Sequence, residues 1–503
     1  MTRVKLARGN RVGLVVSEIA LLAVLALLAT GCMVGPSYKK PPVETPPAWK
    51  EQPPADAAAA NVWRPASPKD SVLRGKWWEM FGDPSLNALE EQIEAANPSL
   101  AQAEAQFRGA RAAILTSRAA LFPTLDAGLN ATRSRQSASR SSLPPGVTQN
   151  QTATTYSLPI DLSYEVDLWG RIRRGVEASV ASAQASAADV QTTRLSLQAE
   201  LAVDWFQLHS LDQQRLLLDT TIAGYETALK LTRDRHDQGV ASGVDVAQAE
   251  TQLETTRAQA IDTGAARASF EHAIAILVGK PPADLTIPPA PIGVQPPAIP
   301  VALPSDLLER RPDVAASERR MAAANAQIGV ATAAYFPSLS LSASGGVASS
   351  TLSTLFSLPN RVWSLGAALA ETVFDGGRRR AATEQAKAGY DAAVAVYRED
   401  VLTSFQNVED NLATLRVLAD EAAQQAVAVA AAERSLTLAR NRYDGGITTY
   451  LEVITAENIA LTNERAAVDI LARRMTASVN LVKALGGGWS AAELPAAPAL
   501  VTR

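Results

Sequence analysis

The chain has 503 residues, a formal net charge of −4 and a single cysteine, Cys32. This balance argues against the broad basic surface that nucleic-acid binding requires, and one cysteine excludes a disulfide within the chain. Hydrophobic residues make up 47% of the sequence but aromatic residues only 5%. Alanine supplies most of the apolar content, which favours long helices that pack closely through small side chains.

The first 31 residues are predicted to be a lipoprotein signal peptide. Four basic residues lie among the first eleven, and residues 20–29 form an apolar stretch that is too short for a comfortable transmembrane helix. Small residues then lead directly to Cys32 and resemble a bacterial lipobox, so we expect cleavage before Cys32 and its acylation. Met33 after it is typical of lipoproteins sorted to the outer membrane. The alternative is an ordinary secretory signal that happens to contain a cysteine.

Residues 32–70 are predicted to form a lipid-anchored, extended tether. They are rich in proline and alanine, with proline pairs at 41–42, 46–47 and 53–54. Beyond the tether the sequence has no run of 18 or more apolar residues. If the chain crosses a membrane, we therefore expect it to do so with strands.

An internal duplication organises the rest of the chain. Three motifs occur in one order at residues 121–125, 166–171 and 235–239, and again at 335–339, 373–378 and 442–446. The first pair lies 214 residues apart and the other two pairs lie 207 residues apart. Ordered matches at a nearly constant offset indicate two copies of one unit. Each copy is predicted to contain a short helix, two strands, a long helix, a turn and a shorter helix.

Four segments alternate between apolar and polar residues with the period of a β-strand: 125–131, 156–168, 339–344 and 363–369. A half-buried sheet of a soluble protein alternates in the same way, although Pro159 would fit poorly in its middle. Four strands cannot close a barrel, and lipid does not tolerate open sheet edges. A membrane location therefore requires several chains to share one barrel, and three chains would supply twelve strands.

Two long segments contain almost no residue that interrupts a helix, from Arg171 to about Asp237 and from Arg378 to about Asp444. A helix of about 65 residues is on the order of 100 Å long, which suits a coiled coil or a span across a compartment. Shorter helices are predicted at about 244–278 and 451–485, running back along the long ones. A cytoskeletal type of coiled coil is the plainer alternative, but the lipobox and the strands argue against it.

Several motifs outside the duplication carry a family resemblance. They are residues 77–86 (WWEMFGDPSL), 97–100 (NPSL) and 310–314 (RRPDV), the last followed by 327–329 (QIG) and 335–337 (YFP). Together with Cys32 and the duplicated motifs, they resemble the TolC-like outer membrane factor family. The closer resemblance is to the NodT-type outer membrane lipoproteins of RND efflux systems, and it covers roughly residues 32–490.

The resemblance implies a mixed, mainly α-helical fold. Long antiparallel helices would form a coiled-coil barrel, and four strands per chain would complete a trimeric twelve-stranded transmembrane β-barrel. The homotrimer would sit in outer-membrane lipid, extend into the periplasm and passively conduct drugs or other small molecules. A periplasmic adaptor and an inner-membrane RND-type pump would be its partners.

The duplication and the resemblance together divide the chain. The first repeat is expected at 71–280, with a β-hairpin at about 122–169 and helices at about 171–278. The second is expected at 305–485, with a hairpin at about 336–375 and helices at about 378–485. The remaining parts are the signal peptide (1–31), the tether (32–70), a proline-rich equatorial linker (281–304) and a C-terminal tail (486–503).

The turns between long and short helices are candidate aperture and adaptor sites. Their glycines should permit the left-handed backbone that a helix end needs, and they are Gly239, Gly243, Gly445 and Gly446. The resemblance implies that these tips close the tunnel. Glu452 matches a position where relatives carry an aperture aspartate, and Asp245 is its counterpart in the first copy. Alternatively, both are ordinary acidic residues favoured at a helix N-terminus.

Gly170, Gly376 and Gly377 lie where a strand turns into a long helix, and we interpret them as structural hinges between barrel and tunnel. The sequence contains no Gly-x-Ser-x-Gly motif, phosphate loop, metal triad or Cys–His pair. It therefore predicts a protein that is not an enzyme and that uses neither a cofactor nor a metal. The competing function is a lipid-anchored periplasmic scaffold without a conducting pore.

Overall fold

The computed structural model describes residues 33–51, 75–135, 152–299 and 304–501. The predicted signal peptide, Cys32 and residues 52–70 of the predicted tether lie outside these residues, as does the tip of the first hairpin.

The described chain is mainly helical. Its helices are α1 (Pro84–Ala96), α2 (Pro98–Ala119), α3 (Arg171–Asp237), α4 (Gly243–Leu277), α5 (Pro304–Arg310), α6 (Pro312–Ala333), α7 (Arg378–Asp444), α8 (Tyr450–Ala484) and α9 (Ala497–Val501). The strands are β1 (Thr124–Ala127), β2 (Asn130–Arg135), β3 (Thr152–Val166), β4 (Ser338–Ser349) and β5 (Arg361–Ala370). None of the described helices has the length and apolar character needed to cross a membrane.

The predicted duplication is visible as matched helices. The long helices α3 and α7 both have 67 residues, α4 and α8 both have 35, and α2 and α6 both have 22. The long helices begin and end at the residues that the sequence predicts. Two of the family motifs are helix starts, because the Asp83 and Asn97 side chains accept hydrogen bonds from backbone N–H groups in the first turns of α1 and α2.

The strands form one antiparallel sheet. β1 and β2 both pair with β3, β3 pairs with β4, and β4 pairs with β5. The prediction of one continuous first strand is wrong, because the ladder is interrupted at Gly128 and Leu129. These residues lie beside Pro159 of β3, which has no N–H group to donate. β3 also ends at Val166 rather than at Leu168, where the chain bends towards α3.

The main hydrophobic core lies at the middle of the long helices. Trp77 and Phe81, in the 3-10 helix Trp77–Phe81, pack there with Phe206 of α3 and Tyr397 of α7. The segment 33–51 has no helix or strand, as an extended tether should, but it lies along the protein. Its Tyr38, Val43 and Trp49 side chains pack against the core. The described part of the 281–304 linker contributes to the same core through Ile287 and Ile299.

Candidate functional site

The first hinge lies where β3 leads into α3. Gly170 has φ +80° and occupies the position before the first residue of the helix. A Cβ atom at Gly170 would fall 2.5 Å from Cγ of Met33 and 3.1 Å from its Cα. Gly170 is therefore required twice, for its left-handed backbone and for the close approach of the segment that follows Cys32.

The segment after Cys32 is held at this hinge by hydrogen bonds. The Val34 N–H donates to the Trp169 carbonyl oxygen at 3.1 Å. The Arg174 side chain donates to the carbonyl oxygens of Val34 and Gly35 at 3.2 and 3.3 Å. Cys32 lies outside the described residues, but the residues next to it along the chain are fixed at the junction of sheet and helices.

Trp169 is a packed aromatic residue at the same junction. Its ring stacks on Phe336 with centroids 4.7 Å apart, and its Nε1 donates to the Pro337 carbonyl oxygen at 2.8 Å. Phe336 and Pro337 belong to the duplicated Phe-Pro motif of the second copy. The motif therefore joins the two copies at the hinge, a contact that the spacing of the motifs did not indicate.

The second hinge uses similar chemistry in a more open setting. Gly376 and Gly377 have φ of +63° and +92°, and a Cβ on either would meet no atom within 4 Å. In both hinges an aspartate accepts hydrogen bonds from the first-turn backbone and pairs with an arginine. Asp167 pairs with Arg173 at 3.2 Å, and Asp375 pairs with Arg379 at 2.7 Å. The sequence did not indicate these caps, because at the repeat offset of 207 residues Asp167 corresponds to Phe374, and the second aspartate, Asp375, lies one residue later.

At the tips, which are the turns between the long and short helices, the predicted left-handed backbone is confirmed at Gly239 (φ +76°) and Gly446 (φ +71°). It is wrong at the other two glycines. Gly445 has φ −76° and directly follows the last residue of α7, while Gly243 is the first residue of α4. One left-handed residue is enough to end each long helix, so the neighbouring glycines keep ordinary backbone angles.

The two acidic tip residues each stabilise their own turn. Asp245 and Ser242 form a reciprocal capping box at the start of α4, in which the Asp245 carboxylate accepts from the Ser242 backbone N–H at 2.9 Å. Glu452 instead accepts from the Arg442 guanidinium at 2.7 Å and from the Thr448 hydroxyl. The longer glutamate side chain thus ties the end of α7 to the start of α8.

The structure brings the two turns together through a tyrosine cluster. Tyr225 of α3, Tyr443 of α7 and Tyr450 of α8 are buried, and the rings of Tyr443 and Tyr450 have centroids 5.4 Å apart. Burial raises the pKa of Tyr225 to about 12. Arg235, near the end of α3, lies over the Tyr443 ring at 4.3 Å, and its guanidinium donates to the backbone carbonyl oxygen of Tyr443 at 3.0 Å. Sequence reasoning missed this contact because the partner lies 208 residues away.

A buried carboxylate lies directly above the tyrosine cluster. Glu457 of α8 is 3% exposed and pairs with Arg440 of α7 at 3.0 Å. Burial raises the pKa of Glu457, although Arg440 acts in the opposite direction. The corresponding residues of the first copy, Arg233 and Glu250, form an exposed pair at 2.5 Å.

An open groove of about 510 Å³ runs between the N-terminal parts of α4 and α8, next to the two turns. Its floor and walls come from the first turns of α4 and α8, including Gly243, Val244, Leu451 and Ile454. The exposed ends of both turns are apolar, since Val240 is 75% and Ile447 72% exposed. Exposed apolar side chains grouped around a groove are typical of a surface that binds another protein.

Comparison with known proteins identifies the family. The family model for the outer membrane efflux protein matches residues 89–280 and 303–487. The chain is 32% identical over 466 residues to the probable efflux pump outer membrane protein SepC of Pseudomonas putida, covering 92% of this chain and 96% of SepC. It is 32% identical over 469 residues to the outer membrane protein OprJ of Pseudomonas aeruginosa, covering 92% and 95%.

The fold is also similar to that of a solved channel. The structure of the outer-membrane channel OprN superposes with a TM-score of 0.82 at 32% identity, covering 91% of this chain and all of that one. The predicted resemblance is therefore confirmed. The chain belongs to the outer membrane efflux protein family and is an efflux channel protein of the outer membrane.

Proposed function

We propose that three copies of this chain form a passive duct, with a twelve-stranded barrel in the outer membrane and a helical tunnel through the periplasm. The main support for this proposal is that the sheet of one chain has two open edges. One edge is formed by β1 and β2, which follow each other along the same side of β3, and we call it the β1/β2 line. The other edge is β5, and the outer side of each edge pairs with no described strand. Apolar side chains cover one face, and Trp363 on β5 is 78% exposed. An open edge is not tolerated in lipid, so the edges must pair with those of further copies.

Helix packing supports a ring of copies independently. In the second copy, α6 packs against both long helices, and α8 packs against both as well. Their counterparts in the first copy, α2 and α4, pack against α3, but among the described residues neither makes a substantial contact with α7. Within one chain, α6 and α8 of the second copy pack against α3 of the first copy. If the same packing is repeated between neighbouring chains of a ring, α2 and α4 of one chain pack against α7 of the next.

Exposed alanines of α7 lie where such a contact is expected. Ala188 of α3 is fully buried against Ala315 and Ala316 of α6. The residues at the corresponding positions are Ala395 of α7 and Ala101 of α2, and both are exposed. Small side chains allow the close helix approach that already exists between α3 and α6. We therefore place Ala395 of one chain beside Ala101 of the next.

The tips of the duct are proposed to form the aperture and to bind a periplasmic adaptor that is itself bound to an inner-membrane RND-type pump. A ring would bring three copies of Asp245 and Glu452 to one end, with the turn glycines Gly239, Gly243, Gly445 and Gly446. The Glu452–Arg442 bridge and the apolar groove support this assignment. SepC is described as a component of an efflux pump, which is consistent with a partner pump for this chain.

The membrane anchor is proposed to be an acylated Cys32. Met33 contacts Gly170 at the base of the sheet, so an acyl chain on the preceding residue would start at the inner surface of the membrane. Each buried CH₂ of an acyl chain contributes about 0.8 kcal/mol, and two or more chains anchor a protein firmly. We also propose the division into a signal peptide, a tether, two repeats with an equatorial linker, and a tail as the domain organisation.

A cysteine pair tests the ring. Ala101→Cys with Ala395→Cys should give covalently linked dimers and trimers on oxidation, because the two residues would come from neighbouring chains. The matched control is Ala188→Cys with Ala315→Cys, which should cross-link within one chain. Cross-linking of the control pair alone would contradict the proposed interface.

Conductance tests the duct. The purified trimer should conduct in planar bilayers. Asp245→Ala with Glu452→Ala should raise the open probability, because the Asp245 capping box and the Glu452–Arg442 bridge that hold the two turns in place are lost. A folded trimer that never conducts, with or without these substitutions, would instead support a scaffold.

A further inference from the structure

Three arginines lie at the end of the sheet that is farthest from the helices. Arg135 is the last residue of β2, Arg133 lies two residues before it, and Arg361 is the first residue of β5. All three are exposed. Among the described residues none of them forms an ion pair, whereas Arg171, Arg173 and Arg379 at the helical end each pair with a carboxylate.

The strand register places all three on one face. Arg133 lies opposite Thr154 of β3, and Leu158, four residues further along β3, lies opposite Val347 of β4. Val347 in turn lies opposite Arg361. Directly opposed residues share a face of a sheet, and so do alternate residues of one strand. The arginines therefore share the face that carries the apolar residues.

This face is the one that must meet lipid. Its larger apolar side chains include Leu125 of β1, Tyr156, Leu158, Ile160, Leu162, Tyr164 and Val166 of β3, Leu339, Leu341 and Val347 of β4, and Trp363, Leu365 and Leu369 of β5. The ten-residue step from Tyr156 to Val166 spans about 33 Å along the strand. A strand tilted by about 40° would rise about 25 Å over that length, the height of a typical apolar band.

The order of side chains along the face matches the outer boundary of a bilayer. Aliphatic residues are followed on β5 by Trp363 and then Arg361, which lies level with Leu158 of β3. On β2, Arg133 and Arg135 lie beyond the level of Tyr156. Aromatic rings prefer the level of the headgroups, where anionic groups lie. The acidic residues of the described strands, which are Asp126, Asp161 and Glu165, fall on the opposite face. No described carboxylate on the arginine face can therefore neutralise the three guanidinium groups.

We propose that Arg133, Arg135 and Arg361 form a binding site for phosphate groups of lipids in the outer leaflet, completed between two copies of the chain. The inference rests on the proposed trimeric barrel. Closing the ring sets β5 of one copy beside the β1/β2 line of the next, about 4.8 Å away. Arg361 of one copy then lies at the same end of the barrel as Arg133 and Arg135 of its neighbour. A guanidinium group can donate two parallel hydrogen bonds to two oxygens of one phosphate, which suits the binding of a lipid headgroup at this end of the barrel.

The test uses the full-length acylated trimer and a bis-phosphorylated glycolipid, lipid A, as the probe. Native mass spectrometry should detect up to three tightly held lipid A molecules per trimer. The triple variant Arg133→Gln, Arg135→Gln, Arg361→Gln should bind roughly a hundredfold more weakly, since each of the three basic residues at a membrane surface contributes about fivefold in affinity. The variant with three lysines instead should fall in between. The matched control removes three exposed charges on helices, Arg108→Gln, Lys230→Gln and Arg434→Gln, and should retain lipid A like the unmodified protein.

Three outcomes would overturn the lipid assignment. They are unchanged retention by the triple glutamine variant, equal retention of lipid A and its dephosphorylated form, and displacement of lipid A by inorganic phosphate. Conductance in planar bilayers separates this inference from the proposed function. A triple variant that conducts normally but loses lipid A supports the site, whereas a protein that forms no channel contradicts the barrel itself.

Discussion

The two long helices are the same element in two different environments. α3 and α7 have equal lengths, and alanines occupy matching positions at 181 and 388, 185 and 392, and 188 and 395. The three alanines of α3 are buried, while within α7, which is described throughout, no residue before Tyr397 is buried. Duplication thus repeats the surface, but within one chain α3 packs against α2, α4, α6 and α8, whereas α7 packs only against α6 and α8 among the described helices of 22 residues or more. The exposed face of α7 is therefore the surface on which the proposed neighbouring chain would pack.

The same contrast appears at the tips, where a matching pair of charges is exposed in the first copy and half enclosed in the second. Arg233 and Glu250 are each about half exposed, whereas the Glu457 side chain beside Arg440 is only 3% exposed. The tyrosines that enclose Glu457 come from both copies, so its burial is a property of the packed tip.

The largest expected effect separates the two hinges. Gly170→Ala should lower the free energy of unfolding by about 3 kcal/mol, because a left-handed alanine costs about 1–2 kcal/mol and the new Cβ displaces Met33. Gly377→Ala should cost only about 1 kcal/mol, since its Cβ meets open space. Denaturant unfolding followed by circular dichroism measures both, and equal losses would show that the Met33 contact contributes nothing.

The second prediction concerns the alanine faces. Ala188→Leu should destabilise the chain by about 2 kcal/mol, because the larger side chain overpacks the contact with α6. Ala395→Leu should leave the unfolding of the monomer unchanged and reduce the trimer fraction. Denaturant unfolding of the monomer and light scattering after size exclusion report these two effects separately. A monomer destabilised equally by both substitutions would mean that α7 is already covered within one chain.

The third prediction compares the matched ion pairs. Arg440→Ala should cost about 2 kcal/mol, because it leaves the enclosed Glu457 carboxylate without its partner. Arg233→Ala should cost less than about 1 kcal/mol, as is usual for an exposed pair. Adding Glu457→Gln to Arg440→Ala should recover most of the loss, since a neutral amide needs no counter-charge. Thermal unfolding of the four proteins at neutral pH checks the order, and a double variant as unstable as Arg440→Ala would contradict it.

The smallest expected effect depends on pH. Burial, with the neighbouring Glu200, raises the pKa of Asp204 from 3.8 to about 6, and the corresponding residue of α7 is the uncharged Asn411. A pKa raised in the folded state means that stability is lost as pH rises through about 6. Below the unfolded value the carboxyl is protonated in both states and has no effect.

Asp204→Asn should therefore stabilise the chain by about 1 kcal/mol at pH 8, after allowing for partial exposure, and by almost nothing at pH 4. Melting curves at the two pH values measure this difference. Asp262→Asn, on an exposed face of α4, is the control and should show no such dependence. A stabilisation that is equal at both pH values would exclude ionisation as the cause.

Much of the fold could be predicted because its signals are local. Long stretches without proline fix the two 67-residue helices, and period-2 alternation locates the strands. The hinge glycines are also local signals, since a left-handed residue is needed where each strand turns into a helix. The second requirement at Gly170, room for Met33, is not local. The break beside Pro159 was missed because it depends on a missing N–H group in the neighbouring strand. Likewise, the sequence located Asp245 and Glu452 at the turns but did not indicate their hydrogen-bond partners, Ser242 and Arg442.

The sequence by itself determined the repeat, the type of each element and the family, because these depend on residue order and spacing along one chain. Only the tertiary structure decided which matching surfaces are covered and which stay open, such as the buried Ala188 against the exposed Ala395. It also decided that Met33 lies against Gly170 and that Arg133, Arg135 and Arg361, which are separated by up to 228 residues along the chain, share one face of the sheet. Burial and strand register depend on contacts between residues that are distant along the chain. The local pattern of apolar and polar residues does not determine which distant residues come into contact.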